Sequence, residues 1–343
     1  MTNLAVVVVG ASAGGVEALR SIVAGLPADL DAAVLVVLHI PPTGPSALPR
    51  ILDRAGPLPA RHAVDGEPLL PQRIYVAPPD HHLLVLDGKV RLSRGPTENG
   101  HRPAVDPLFR SAAQASGPRT VAVVLSGSRD DGTAGAAVVA GRGGRVLVQD
   151  PDDALHPSMP RSAIEYVAVH RTGTAAALGP AVAEAVRELA DGAAPEDDPS
   201  TDDDLIARET AMADMQDLTT ADLSADPAGL ACPSCHGALF LLPGEPDPRY
   251  RCWVGHAWSP QSLLEEQGAA FEGALWMALR SLEEKISLAR RLDAAAQRRG
   301  RSAAAGRFRQ VGDEATHAAH LIRALIRRLG GLDVPSVDGE RAS

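Results

Sequence analysis

The chain has 343 residues, comfortable for two domains, and its 45% hydrophobic content with only 3% aromatics points to a globular protein with an aliphatic core. Its formal charge of −10 argues against nucleic-acid binding by the whole chain, because phosphate-backbone affinity needs a dense Lys/Arg face. No stretch approaches the length that spans a bilayer. Met1-Thr2-Asn3 leads into the apolar run Leu4–Val9 without a basic targeting region, so a cytoplasmic protein is expected.

From Leu4 to about Asp191, apolar β-branched runs alternate with helical patterns. Val6–Val9, Val34–His39, Ile74–Ala77, Val121–Ser126 and Val146–Gln149 read as strands, several of them apolar on both faces as buried parallel strands are. Val16–Leu26, Pro107–Ala115, Ala134–Ala140 and Ala175–Leu189 have helical apolar spacing, and Asp87-Gly88 centres a hairpin over His82–Leu92. This alternation predicts an α/β domain over residues 1–191 with a doubly wound, mostly parallel sheet. Residues 192–229 read as an acidic linker, carrying Glu196-Asp197-Asp198 and Asp202-Asp203-Asp204, with a helical stretch near Leu205–Met215. A cysteine module over 230–259, a helical hairpin over 260–330 and a flexible tail over 331–343 complete the expected division.

The turn after the first strand reads Gly10-Ala11-Ser12-Ala13-Gly14, the sequence form of a nucleophile elbow, in which glycines permit the tight turn that lifts a serine hydroxyl above the sheet edge. A phosphate-binding turn is the competing reading, although the third-glycine spacing of the dinucleotide fingerprint is missing and no acidic residue ends the second strand. His39 ends that strand instead, just before Pro41-Pro42. After the strand Val121–Leu125 comes Ser126-Gly127-Ser128-Arg129-Asp130-Asp131-Gly132, where either aspartate can orient an imidazole while the other caps the helix starting near Thr133. A serine, a base and an acid at strand carboxyl ends form the set that acyl transfer requires.

Cys232-Pro-Ser-Cys235 and, sixteen residues on, Cys252-Trp-Val-Gly-His256 hold every cysteine of the chain. An odd, clustered set is no disulfide framework. Three thiolates and an imidazole form a common closed set for structural zinc, with Cys232, Cys235, Cys252 and His256 as ligands and His236 the weaker choice for the fourth. Ser259-Pro260 then reads as N-cap and first helical residue. Leu264, Phe271, Leu275, Ala278, Leu282, Ile286 and Ala289 form one apolar helical face, and Leu321, Ile322, Leu325, Ile326 and Leu329 form the second, for an antiparallel hairpin that docks on the zinc module or a partner. The Arg-rich segment Arg290–Arg309 reads as a solvated face.

Residues 4–190 resemble the catalytic domain of the CheB chemotaxis protein-glutamate methylesterases. The resemblance is carried by Gly10-Ala11-Ser12-Ala13-Gly14-Gly15, Leu38-His39-Ile40-Pro41-Pro42, Ile74–His82, His101-Arg102-Pro103-Ala104-Val105-Asp106, Leu125-Ser126-Gly127 with Asp131-Gly132, and Gln149-Asp150-Pro151 followed by Ser158-Met159-Pro160. It implies hydrolysis of glutamyl methyl esters on methylated receptors or related signalling proteins, often with glutamine deamidation. Ser12 would be the nucleophile, His39 the base and Asp131, rather than Asp130, its orienting acid, with no cofactor needed for catalysis. Ser128 and Arg129 replace a methionine and a glycine of the family pattern, and Ala13 replaces a frequent threonine. No receiver domain precedes the motifs, so control by aspartyl phosphorylation within this chain is not expected. The alternative is a non-catalytic signalling scaffold that keeps the fold and uses the zinc-helical tail to bind a partner.

Overall fold

The computed structural model describes residues 4–191, 202–215, 225–242 and 248–329. They form two compact units, one ending at Leu263 and the other beginning at Leu264. In the first, β1 (Ala5–Ala11), β2 (Ala32–Leu38), β3 (Ala60–His62), β4 (Arg73–Val76), β7 (Thr120–Val124), β8 (Arg145–Gln149) and β9 (Arg171–Gly173) make a seven-stranded sheet of order β3-β4-β2-β1-β7-β8-β9. Every neighbouring pair is parallel. Between β4 and β7 lie β5 (His82–Leu86) and β6 (Lys89–Ser93), an antiparallel hairpin turning at Asp87-Gly88, both in the left-handed region that this turn requires.

Helices cover both faces. Val7 and Val9 of β1 join Leu19 and Ile22 of α1 (Gly15–Ala24) in one core, beside α2 (Leu48–Asp53) and with Leu178 and Val182 of α6 (Ala175–Asp191). Val6 and Val8 face the other core. There they meet Leu108 and Phe109 of α3 (Val105–Ser116), Val139 of α4 (Thr133–Gly141), Met159 of α5 (Ser158–Tyr166), and the hairpin's Leu83 and Val85. Burial on both faces is why β1 reads as an unbroken apolar run. Each buried Val or Leu contributes about 1.5–3 kcal/mol by leaving water.

Inside the expected linker, the helical stretch expected near Leu205–Met215 is present as a helix. Here α7 (Asp202–Ala213) buries Ile206, Glu209, Thr210 and Met212, and Gly95 lies so close that a Cβ on it would come 2.2 Å from the Ala213 carbonyl. The acidic residues at its start obscure this inward face. Next come β10 (Asp226–Ala231), β11 (Ala238–Leu242), β12 (Arg249–Cys252) and β13 (Ala257–Trp258), an antiparallel four-stranded sheet that begins inside the expected linker. The rest of the linker and the tail from 330 lie outside the described residues.

The second unit holds most of α8 (Pro260–Arg298) and all of α9 (Ser302–Leu329). Leu279 packs with Ala319 and Ile326, a Cβ on Gly312 would lie 3.5 Å from that of Ala289, and Arg309 faces Asp293, a register that runs the helices antiparallel. Leu264 and Phe271, expected on the apolar face, are 65% and 51% exposed, while Leu279 takes a buried place. Arg290, Arg291, Arg298, Arg307 and Arg309 are exposed.

Candidate active site and metal centre

Because β2 and β7 flank β1, the chain changes direction across the sheet at β1, and the carboxyl ends of these strands form the crevice where ligands bind in open α/β sheets. The ladder continues past the strand ends. The His39 amide donates to the Ala11 carbonyl at 3.0 Å and the Ser12 amide to the Ser126 carbonyl at 2.9 Å. Ser12 and His39 are thereby fixed one strand apart. Gly14 adopts φ 70°, turning the backbone from β1 into α1. Gly127 lets the facing loop approach, since a Cβ there would lie 2.0 Å from Met159 Sδ and 2.9 Å from Ser12 Cβ.

His39 Nδ1 lies 3.1 Å from Ser12 Oγ, and His39 Nε2 lies 2.7 Å from Asp131 Oδ2. With a carboxylate on Nε2, the neutral ring carries its proton there and presents the Nδ1 lone pair to the serine hydroxyl. The three residues singled out by sequence thus form one hydrogen-bonded chain. Asp131 is buried, which works against its charge. The His39 hydrogen bond, the charge of its protonated form and the Val105 amide at 2.7 Å outweigh that and hold its carboxyl well below the usual carboxylate range. The Asp106 amide at 3.2 Å and Asn99 Nδ2 at 3.0 Å donate to its other oxygen.

The Asp130 carboxylate reaches toward α8. Its Oδ1 accepts from the hydroxyls of Ser259 and Ser262, each at 2.8 Å, at the start of α8. The amides of Gly132 and Gly135 at the head of α4 are instead met by Asp106 Oδ1, at 3.0 and 2.7 Å. Burial, and then the neighbouring Asp131 charge, push the Asp106 carboxyl up. Arg129, standing where the family pattern has glycine, takes φ 65°, a left-handed conformation that glycine adopts more easily.

One further side chain lies against the base. Glu98-Asn99-Gly100-His101 is a tight turn, with Asn99 and Gly100 at φ 51° and 80° and reciprocal backbone hydrogen bonds between Glu98 and His101. It stacks the His101 ring on His39, with centroids 3.7 Å apart and planes 14° from parallel. Burial, then the His39 charge, lower the His101 pKa to about 4, so it covers the base as a neutral ring. The Asn-Gly dipeptide was the available sequence signal for this turn. It lacks flanking alternating apolar residues, and so it went unread.

The four expected metal ligands also come together. The donor atoms of Cys232, Cys235, Cys252 and His256 all lie within 4.8 Å of one another. Cys235 Sγ to Cys252 Sγ is 3.6 Å, and His256 Nδ1 is 3.4 Å from Cys252 Sγ and 3.8 Å from Cys232 Sγ. A tetrahedral ion with metal–sulfur bonds of about 2.3 Å has edges of roughly 3.8 Å, so the group fits a metal ion. Trp258 Nε1 donates to Cys232 Sγ at 3.4 Å, a contact that supports a thiolate. His236 is not part of the cluster. Among the described residues, no helix is long and apolar enough to cross a membrane.

Residues 7–182, just over half of the chain, match the CheB methylesterase family profile. The chain belongs to the CheB methylesterase family. Curated CheB-type relatives include protein-glutamate methylesterase/protein-glutamine glutaminase 4 of Myxococcus xanthus, 43% identical over 160 residues that cover 46% of this chain and 45% of that protein. Protein-glutamate methylesterase/protein-glutamine glutaminase 2 of Caulobacter vibrioides is 40% identical over 195 residues, 54% of each chain. The chain therefore spans about half the length of the curated relatives it matches. The crystal structure of the Thermotoga maritima CheB methylesterase catalytic domain aligns with a TM-score of 0.51 at 35% identity, covering 53% of this chain and 98% of that one. The CheB match ends before α7, so it covers neither the cysteine module nor α8 and α9.

Proposed function

We propose that this protein is a serine hydrolase that cleaves glutamyl methyl esters on methylated receptors or other signalling proteins. The observation that carries the reading is the continuous hydrogen-bonded chain from Ser12 Oγ through His39 to the buried Asp131. His39 Nδ1 takes the hydroxyl proton as Ser12 Oγ attacks the ester carbonyl carbon. Asp131 holds the ring in the required tautomer and stabilises the imidazolium that forms. The oxyanion faces amides at the N-terminus of α1, where first-turn N–H groups lack carbonyl partners within the helix. His39 returns the proton to the departing methanol. Water then attacks the acyl-enzyme by the same base, leaving glutamate and free Ser12.

Relatives named as glutaminases make side-chain amides a second substrate class, with ammonia leaving in place of methanol. Cys232, Cys235, Cys252 and His256 would hold a structural zinc ion, which ties the module's strands together and has no open position for substrate. Ion occupancy enters no step of the ester chemistry. A cytoplasmic location suits thiolate ligands kept reduced. The alternative of a pure scaffold has against it a carboxylate that is buried and held charged against an imidazole within reach of a serine, an arrangement that partner binding does not require.

The test is release of labelled methanol from receptor membranes carrying methyl-labelled glutamyl esters. Wild-type protein is expected to release it and Ser12→Ala to leave it bound. Equal release by both would refute the assignment.

A further inference from the structure

Asn99 is buried in a left-handed turn, and each polar atom of its side chain is engaged. Nδ2 donates to Asp131 Oδ1 and to Asp106 Oδ2, both at 3.0 Å, and Oδ1 accepts the Ser259 amide at 2.8 Å. These partners leave the amide one orientation, because reversing it would aim its oxygen at two carboxyl groups and its NH₂ at an N–H donor. The Asn99 backbone is held as well, its amide donating to the Ala257 carbonyl at 2.8 Å. Ala257 and Ser259 lie one and three residues after the expected ligand His256. One residue before Asn99, Glu98 is gripped by Arg251 of β12. The Trp258 ring lies against Gly100, 3.5 Å from where a Cβ would stand.

One face of this turn thus orients the carboxylate that orients His39, and its other face is clamped by the cysteine–histidine module. We propose that Asn99 is the positioning residue of the Asp131 carboxylate and that the cysteine–histidine module holds Asn99 in that role, so that the module's integrity is read out at the hydrolase site. The proposal rests on the hydrolase reading. Without Nδ2, Asp131 Oδ1 keeps only the long contact from the Asp106 amide at 3.2 Å, and the carboxylate, still anchored at Oδ2 by the Val105 amide, can swing about that contact and loosen its hold on His39 Nε2.

The test uses the full chain with Asn99→Asp, Asn99→Ala, Arg251→Met and the Asn99→Ala/Arg251→Met pair. Asn99→Asp tolerates the turn geometry and keeps the acceptor for Ser259 but sets a third carboxyl against Asp131 and Asp106 in place of the N–H donor, whereas Asn99→Ala carries no donor in any protonation state. The kcat of either variant on methyl-labelled receptor membranes is expected to fall roughly 10- to 100-fold, as loss of a hydrogen bond to a charged group implies, with KM nearly unchanged. The downfield proton resonance of the His39–Asp131 hydrogen bond is expected to shift or vanish, while the thermal midpoint stays well above the assay temperature. Arg251→Met is expected to lower kcat at least roughly twofold in the wild-type background and to add nothing to Asn99→Ala, the non-additivity of residues acting through one another.

Unchanged kcat and resonance in Asn99→Ala would overturn the positioning role. Equal losses from Arg251→Met in both backgrounds, or no loss in either, would overturn the transmission. If wild-type protein released no methanol, the hydrolase reading would fail by itself, and the resonance in the same variants would decide whether Asn99 positions Asp131.

Discussion

Glu98→Gln should be among the most destabilising single-atom-scale changes in the protein. Glu98 is 3% exposed and faces two guanidiniums that are each 1% exposed. Arg110 meets both of its oxygens, at 2.8 and 3.2 Å, and Arg251 meets Oε1 at 3.0 Å. Arg251 continues to Glu209 at 3.1 Å, and Glu209 to Arg249 at 2.6 Å. Burial penalises the Glu98 charge, but the charges of Arg110 and Arg251 outweigh it and bring its pKa from 4.5 to about 2. That gap corresponds to about 3 kcal/mol of preference for the charged form in the folded state. The cost of leaving one partner of a buried ion pair uncompensated is of the same order, about 3–5 kcal/mol. Glutamine keeps the shape but turns an NH₂ toward guanidinium donors. For a unit of this size the thermal midpoint should drop roughly 6–12 °C at pH 7.

The pH dependence follows with a definite sign. The folded pKa of Glu98 lies below its ordinary value, so its contribution is complete above pH 4.5 and is lost as pH falls toward about 2. Thermal unfolding followed by near-ultraviolet circular dichroism should therefore show the gap between wild type and Glu98→Gln narrowing from pH 7 to roughly pH 3. A midpoint within about 2 °C of wild type at pH 7, or a gap that does not change with pH, would refute the account of this network.

Asp131→Asn preserves shape but loses the charge that selects the His39 tautomer, and kcat for ester hydrolysis should fall by roughly 10⁴-fold with the fold retained, read from methanol release and circular dichroism. In Gly127→Ala the new methyl group collides with Met159 and presses on Ser12, so both stability and kcat should drop, with a destabilisation of about 1–3 kcal/mol by denaturant titration. Removing metal with a strong chelator should release about one zinc ion per chain to a chromogenic indicator and lower the melting temperature, and Cys252→Ser should reproduce both effects. A protein purified with no bound metal that melts identically in chelator would overturn the zinc assignment.

Much of the candidate triad was legible in the sequence because Ser12 and His39 close apolar runs and Asp131 lies in the loop after a third, and parallel sheets gather such ends on one edge. Ser12, His39 and Asp131 needed only the strand order to become neighbours, although the choice of Asp131 over Asp130 came from family resemblance and not from spacing. The Cys₃His group that could hold a metal was legible from spacing alone, since every cysteine lies within one short segment. The support around Asp131 was not. Glu98 and Arg251 are 153 residues apart, and a buried charge contact between such distant segments leaves no periodic trace in either one. His101 stood inside a recognised motif, but nothing in that motif says that its ring lies flat on His39. The stretch around Glu209 read as acidic linker with a helical stretch, and its acidic composition masked the inward-facing Ile206, Glu209, Thr210, Met212, Ala213 and Asp214.

The clamp on Asn99 also has a consequence for the order in which a ribosome emits the chain. Ser12, His39 and Asp131 all leave the exit tunnel before the segment that braces them, because Ser259 follows Asp130 by 129 residues. A nascent chain holding the full set of reacting groups would still have a loosely held acid until Arg251, Ala257 and Ser259 had been synthesised and folded back. The last strands made would then switch on chemistry encoded by the first.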